Sequence, residues 1–370
     1  MVYLIKRMLQ ILRKDGLLPL LKKTTNRIYA LQKYRKINLN DERKRWETLK
    51  DKYKGKRVFL LGNGPSLNKT PLYLLKDEYK MCFNHFSIML ERLNWHPDFF
   101  LTSDNLVLSD LVKDFEKIIP PTKHSFFPGL HFRGNNFIKE IKKYNNAYWT
   151  LHLHGRGFSH DLPRIYPGGS VIYEGFQILK YLGFSEVYLL GVDMNYKIHK
   201  SANKLEAKGI DIESQHNDDP NHFDPRYFGK GKKYHQPEKY VIDNAIRDLK
   251  YVSDKVTNKD FRIINLGFDS KLEVFPREIF SSVMDQSESL QKDIFSKHLM
   301  TLSESNCDTG MEITDFMFLT KMNSWNSQID SFSCHLDIAL NLIDKAIFTY
   351  IPIGPFDNKY YFLKRKKSLV

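Results

Sequence analysis

The stretch RVFLLGNGPSLNK, Arg57 to Lys69, runs from four consecutive apolar residues into a turn of two glycines, an asparagine, a proline and a serine. A short apolar run closed by turn residues marks a buried strand, and the carboxyl ends of such strands are where α/β sheets hold ligands. The turn lacks both the GxGxxG spacing of a dinucleotide fingerprint and the Lys-Ser/Thr of a P-loop. Its glycines, Gly62 and Gly64, would let backbone N–H groups approach a phosphate, and the Asn63 amide suits a phosphate or ribose oxygen. The alternative is a turn that only punctuates the chain.

Outward from this stretch the pattern alternates. YKMCFNHF reads as a second strand ending near Asn84, and PDFFLTSDN as a third ending near Ser103 and Asp104. A helix opened by glycines follows in GGSVIYEGFQILKYLGF, with Val171, Phe176, Ile178, Leu179 and Leu182 at helical spacing. SEVYLLGVDMNY is then a strand, EKYVIDNAIRDLKYVSDK a helix and FRIINLG a last strand. Such repetition predicts an α/β, Rossmann-like, mainly parallel sheet with flanking helices over residues 55–280. Beyond it, residues 281–370 are expected to form a small, mostly helical appendage.

The 370 residues are 42% hydrophobic, enough for a sizeable core. Of the formal charge of +14, residues 1–57 supply +13, from 18 Lys+Arg against 5 Asp+Glu. The folded body is thus almost neutral, which argues against a nucleic-acid face and for a basic arm over residues 1–54. In MVYLIKRMLQILRK, Leu4, Ile5, Met8, Leu9, Ile11 and Leu12 recur at helical spacing among Lys6, Arg7, Arg13 and Lys14. This amphipathic stripe suits either an anionic membrane surface or packing on the chain's own body. The basic run Lys364 to Lys367 beside aromatics favours the membrane. Charges interrupt every apolar run, so neither a membrane-spanning helix nor a secretory signal is expected. Cys82, Cys307 and Cys334 form no CxxC pair and fit a reducing, cytoplasmic compartment.

Two further motifs bear on chemistry. PGGSV, Pro167 to Val171, places Gly169 and Ser170 where a helix N-terminus favours an anion, or where Ser170 is simply its cap. HNDDPNHFDPRYFGKGKKYHQPEKY, His216 to Tyr240, is a long polar loop whose His222 and His235 are candidate bases. The acidic pair Asp218-Asp219 and the alternating His152 and His154 are weaker candidates for metal ligation, and no metal is assigned.

Taken in order, LLGNGPSL, CFNHF, GGSV, VYLLGVD with a tyrosine close behind, and the late histidine loop resemble bacterial sialyltransferases that use CMP-sialic acid. They resemble equally the flagellin-modifying glycosyltransferases that share a domain with the archaeal pterin pyrophosphokinase. The resemblance spans roughly residues 55 to 270. It implies a nucleotide-sugar domain with a lid, and an inverting, metal-independent transfer needing no cofactor beyond the CMP-linked donor.

By position, the resemblance puts Gly62, Asn63, Gly64, Ser66 and Asn84 at the phosphate and nucleotide sugar, and Ser103 or Asp104 at the ribose. Gly169 and Ser170 would meet the cytidine or donor carboxylate, and Asp193 ends the Gly-x-Asp strand. His235, just ahead of a helix, becomes the base with His222 in reserve. Tyr196 stands one place off the leaving-group tyrosine, where Asn195 occupies the expected position. The donor sugar would be sialic acid, another nonulosonic acid or Kdo, and the acceptor a surface glycan, lipid-linked, at the inner face of a bacterial membrane. An ATP- and magnesium-dependent pterin pyrophosphokinase and a non-catalytic membrane-associated scaffold are the alternatives.

Overall fold

The computed structural model describes residues 37–284, apart from 71, 94, 131–136, 206–210, 236–237, 268–269 and 279, together with Leu12, Leu17, Leu21 and four carboxyl-terminal strands. Eight strands form the main sheet: β1 (Arg57–Leu61), β2 (Lys80–Phe83), β3 (Phe99–Leu101), β4 (His124–Leu130), β5 (Ala147–His152), β6 (Arg164–Ile165), β7 (Glu186–Leu190) and β11 (Arg262–Asn265). Their order is β11-β7-β1-β2-β3-β4-β5-β6, and all pairings are parallel. This is the α/β, Rossmann-like arrangement that the alternating pattern predicts.

From β1 the chain builds outward to β6, then returns to lay β7 on the other side of β1. The order therefore reverses between β1 and β7, the position at whose carboxyl ends open α/β sheets hold ligands. Both faces of the sheet are covered, which is why the strands read as unbroken apolar runs rather than alternating ones. Val58 and Leu60 pack on one side with Phe176, Leu179, Leu249 and Val252. Phe59 and Leu61 pack on the other with Leu67, Phe86 and Phe223.

The helix Val171–Tyr181 starts at its Ser170 cap, whose side chain accepts from the Ile172 N–H at 3.4 Å. It stops where Gly183 takes φ +92°, a conformation L side chains rarely adopt. Its partner on that face is the helix Lys239–Lys255. Between β7 and this second helix lies a small antiparallel sheet of β8 (Asn203–Lys204), β9 (Asp211–Glu213) and β10 (Lys233–His235). Here the long polar loop turns out to be strand-bounded.

Two boundaries differ from expectation. Residues 37–54 belong to the body rather than to an arm: the helix Leu39–Glu47 buries Trp46 completely, and its indole donates to the Trp149 carbonyl at 2.9 Å. Glu42, also buried, accepts from the Trp149 N–H at 2.8 Å, and Tyr53 stacks on Phe184. The charge count concealed this, because the basic residues flank rather than replace the few large apolar ones. In the carboxyl-terminal region the described residues are mainly strands, Met311–Glu312, Ser331–His335, Tyr350–Phe356 and Lys359–Lys364, not helices. The aromatic and β-branched content of YIPIGPF and KYYFLK, separated only by Asp357 and Asn358, is the strand signal there.

Apart from Leu12, which is exposed, the amphipathic stripe lies outside the described residues, as does most of the carboxyl-terminal basic run. Among the described residues no helix is long and apolar enough to cross a membrane.

Candidate functional site

The glycine turn after β1 is laced to the end of β7. Gly62 N–H donates to the Leu190 carbonyl at 2.7 Å and Gly64 N–H to the Gly191 carbonyl at 2.8 Å. Asp193 then accepts from the Ser66 N–H at 2.9 Å and from the Ser66 hydroxyl. The glycines are required by this approach: a Cβ on Gly62 would lie 2.3 Å from the Gly191 oxygen, and one on Gly64 would lie 2.3 Å from an Asp193 oxygen.

The donors of Gly62, Gly64 and Ser66, expected at a phosphate, have partners within the protein in this structure. The Asp193 carboxylate already occupies the N-terminal end of the 3-10 turn Pro65–Lys69. An internal anion there removes the attraction that such a terminus would otherwise hold for a ligand's phosphate.

What the edge leaves open is different. Asn63, after β1, has a buried side-chain oxygen with no hydrogen-bond partner, and so have Asn84, after β2, and Thr102, after β3. Buried polar atoms are normally paired, and three of the eight unpaired ones among the described residues lie on consecutive strand ends, which makes this edge the candidate site. Carbonyl oxygens accept, and so call for hydroxyl or amino donors. Asn84 is also held at φ +53°, a left-handed conformation that asparagine tolerates, and Met194, after β7, at φ +51°, where the same conformation is costly. Ser103 and Asp104 are half-buried beside Thr102.

The lid supplies the titratable groups. The Phe223 N–H donates to the Asn63 carbonyl at 2.9 Å, and the Asn68 amide donates to the Phe223 carbonyl at 2.9 Å. The buried Tyr227 ring packs edge-on against His85 at 5.2 Å. On Tyr227 lies the His222 ring, parallel within 2° at 3.9 Å. His222 Nδ1 meets the Asp219 carboxylate at 2.7 Å. Burial pushes Asp219 up, but His222 and the N–H groups of Asn221 and Phe228 outweigh it and hold the carboxyl low. Asp219 thus stays an anion that orients His222.

His235 is the second such pair. Its Nδ1 is 2.5 Å from Asp211, on the neighbouring strand β9, and its Nε2 is 3.7 Å from Asp104. The structure therefore brings both histidine candidates to one rim, His222 above β1 and β2, and His235 above β3. Asp218 and Asp219 diverge, since Asp218 meets His199 at 2.8 Å, so the pair does not form a shared metal site.

The remaining candidates are placed less centrally. Tyr196 is 44% exposed. A Cβ on Gly169 would lie 2.7 Å from Ala245, so that glycine permits the two long helices to touch. Ser170 caps its helix, as the bland reading of PGGSV held.

His152 ends β5, and its Nε2 is 3.2 Å from the buried Glu174, a partner 22 residues away that spacing alone did not bring beside it. Burial pushes His152 down, yet the Glu174 carboxylate more than reverses this, so its pKa is raised. A raised histidine stabilises the fold fully below its unfolded value of about 6.5 and loses that contribution as pH rises through the folded value. The melting temperature of the wild type is expected to fall more between about pH 6 and about pH 9 than that of Glu174→Gln. A pH series of melting curves on both proteins measures the difference.

The residues that sequence reasoning did not single out are Thr102, Asp211 and Tyr227. Only Tyr227, inside the histidine loop, sat in a segment already marked as functional.

The family described as 6-hydroxymethylpterin diphosphokinase MptE-like matches residues 32–199, under half of the chain. Among solved structures, the MAf glycosyltransferase from Magnetospirillum magneticum AMB-1 is similar at 16% identity and a TM-score of 0.40. That likeness covers 72% of this chain and 42% of the other. No curated protein matches the sequence.

Proposed function

We propose that the protein is an inverting glycosyltransferase that draws its sugar from a nucleotide donor, CMP-linked by the resemblance of its motifs, and passes it to a hydroxyl of a surface glycan. The observation that carries this reading is the row of unpartnered side-chain oxygens on Asn63, Asn84 and Thr102, beneath a lid that brings two histidine–aspartate pairs to the same rim. Ribose hydroxyls and an exocyclic amine can donate to the two asparagine oxygens, and the Thr102 hydroxyl can both accept and donate. A histidine whose other nitrogen is fixed by a carboxylate is the group that can take a proton from an acceptor hydroxyl near neutral pH.

His235 is the base and Asp211 its positioning residue. The basic termini suit a lipid-linked acceptor at an anionic membrane. Asp193, Asp211, Asp218 and Asp219 are each engaged by a hydroxyl, an N–H or a histidine, which fits transfer without a divalent ion better than diphosphate transfer with one.

A second reading, an ATP-dependent diphosphokinase acting on a pterin, rests on the MptE-like match. A thermal-shift panel of CMP, UDP, GDP and ATP, each with and without magnesium, separates the two. Stabilisation by CMP that is indifferent to magnesium is the expected result. Stabilisation by ATP with magnesium alone overturns the transferase, and a flat panel favours a scaffold.

A further inference from the structure

Resting on the reading of an enzyme at an anionic membrane, we propose that the loop from Asn195 to Leu205 is a docking surface through which the folded body meets anionic lipid. Among the described residues 37–284 the exposed large apolar side chains are Leu39, Tyr196, Ile198, Leu205, Tyr240 and Tyr251, and three of these fall within residues 196–205. Ile198 is the extreme, at 76% exposed. Single apolar residues scattered over a surface are ordinary, whereas a cluster marks a contact.

Ile198 is held out by its neighbours on both sides. The Lys197 N–H donates to the Asn221 side-chain oxygen at 2.6 Å, and the Asn221 amide donates back to the Lys197 carbonyl at 2.8 Å. On the other side His199 is buried, with Nδ1 on the Tyr234 hydroxyl and Nε2 2.8 Å from Asp218. With residues 197 and 199 fixed, the side chain between them has no route into the core. Leu205 is fixed likewise: it follows the edge strand β8, and its N–H donates to the Asp211 carbonyl at 2.9 Å. Holding apolar side chains in water stabilises nothing within the fold, and burying them against a partner does.

The chemistry of the partner follows from the rest of the loop. Lys197, Lys200 and Lys204 are exposed among these apolar residues, and residues 194–205 contain no Asp or Glu. Projecting apolar side chains with lysines between them fit the headgroup boundary of an anionic bilayer, where the lysines meet phosphates while Ile198 and Leu205 enter the acyl edge. An acidic glycan would engage the lysines and leave Ile198 in water. Asn221 and Asp218, which pin the loop, are also the sequence neighbours of His222 and Asp219, so docking there brings the histidine rim to the lipid, where a lipid-linked acceptor presents its hydroxyl.

Flotation of the full chain with vesicles of phosphatidylcholine, with and without about one-third phosphatidylglycerol, tests the surface. One loop variant combines Ile198→Ser with Leu205→Ser, and the other combines Lys197→Gln, Lys200→Gln and Lys204→Gln. The control for net charge combines Lys117→Gln, Lys139→Gln and Lys142→Gln, which are exposed elsewhere on the body. All the substituted side chains are exposed, so melting temperatures are expected to match the wild type. The wild type is expected to prefer the anionic vesicles. Its partition coefficient there is expected to fall about tenfold in the apolar variant and about a hundredfold in the loop lysine variant, while the control stays within about fivefold because charges away from the contact are screened.

Equal losses in the two lysine variants, or no loss in either loop variant, overturn the docking surface and leave the nucleotide panel to decide the transferase. Loss in the loop lysine variant with the apolar variant unchanged assigns the loop to an acidic glycan. An apolar variant that binds vesicles normally but breaks a wild-type oligomer in size-exclusion chromatography assigns it to a second copy of the chain. Either result overturns the lipid surface. A wild type indifferent to anionic vesicles overturns the membrane part of the functional reading, and this inference with it.

Discussion

Replacing His235 by alanine is expected to lower sugar transfer by about a hundredfold to ten-thousandfold, the range a positioned general base contributes. The acceptor hydroxyl is a weak nucleophile until its proton has somewhere to go. His235 offers Nε2 for that purpose because Asp211, 2.5 Å away, fixes the other nitrogen. Nucleotide binding is expected to survive, since Asn63, Asn84 and Thr102 lie on the sheet and not on β10. Transfer measured by product chromatography, alongside thermal shift with the nucleotide, separates the two effects. Full activity in the variant removes His235 from the mechanism. Asp211→Asn is expected to lose less, because it misorients the base without removing it.

Strand ends were legible in the sequence to within one to three residues where an apolar run met a polar stop. Leu61, Phe83, Leu101, Leu190 and Asn265 close their strands near the expected places. The strands β4 and β5 were not read, because Pro128 and Gly129 interrupt the first and His152 ends the second in what looked like a histidine motif. At the site, Asn63, Asn84 and the two histidines were chosen for their chemistry, and the geometry keeps them together. The glycines were chosen for a phosphate and serve a different purpose. A sequence shows that a turn needs glycine, but whether the group pressing on it is a ligand or the carbonyl of Gly191 depends on a strand 130 residues away. For the same reason Asp211 and Asp219 were invisible as partners. A β9–β10 pairing and a lid docked on Asn63 are needed to place them.

Gly62→Ala is expected to produce the largest loss of stability at the site. The added Cβ would meet the Gly191 oxygen at 2.3 Å and its carbon at 2.8 Å, and both belong to the backbone, so no side chain can rotate away. Relief requires the turn after β7 to move off β1, which breaks the bonds from Gly62 to Leu190 and from Gly64 to Gly191. Overpacking of this kind costs about 1–3 kcal/mol, which for a domain of this size corresponds to a melting temperature lower by about 2–12 °C. Gly231→Ala is the matched control: its φ is +78°, yet nothing lies within 4 Å of the new Cβ, so only backbone strain of about 1 kcal/mol is added. Because Asn63 sits between the two laced glycines, Gly62→Ala is also expected to abolish nucleotide-induced stabilisation, whereas Gly231→Ala retains it. Melting curves of both variants with and without nucleotide decide the matter, and equal shifts in the two would mean that the close approach of β1 to β7 does not hold the site.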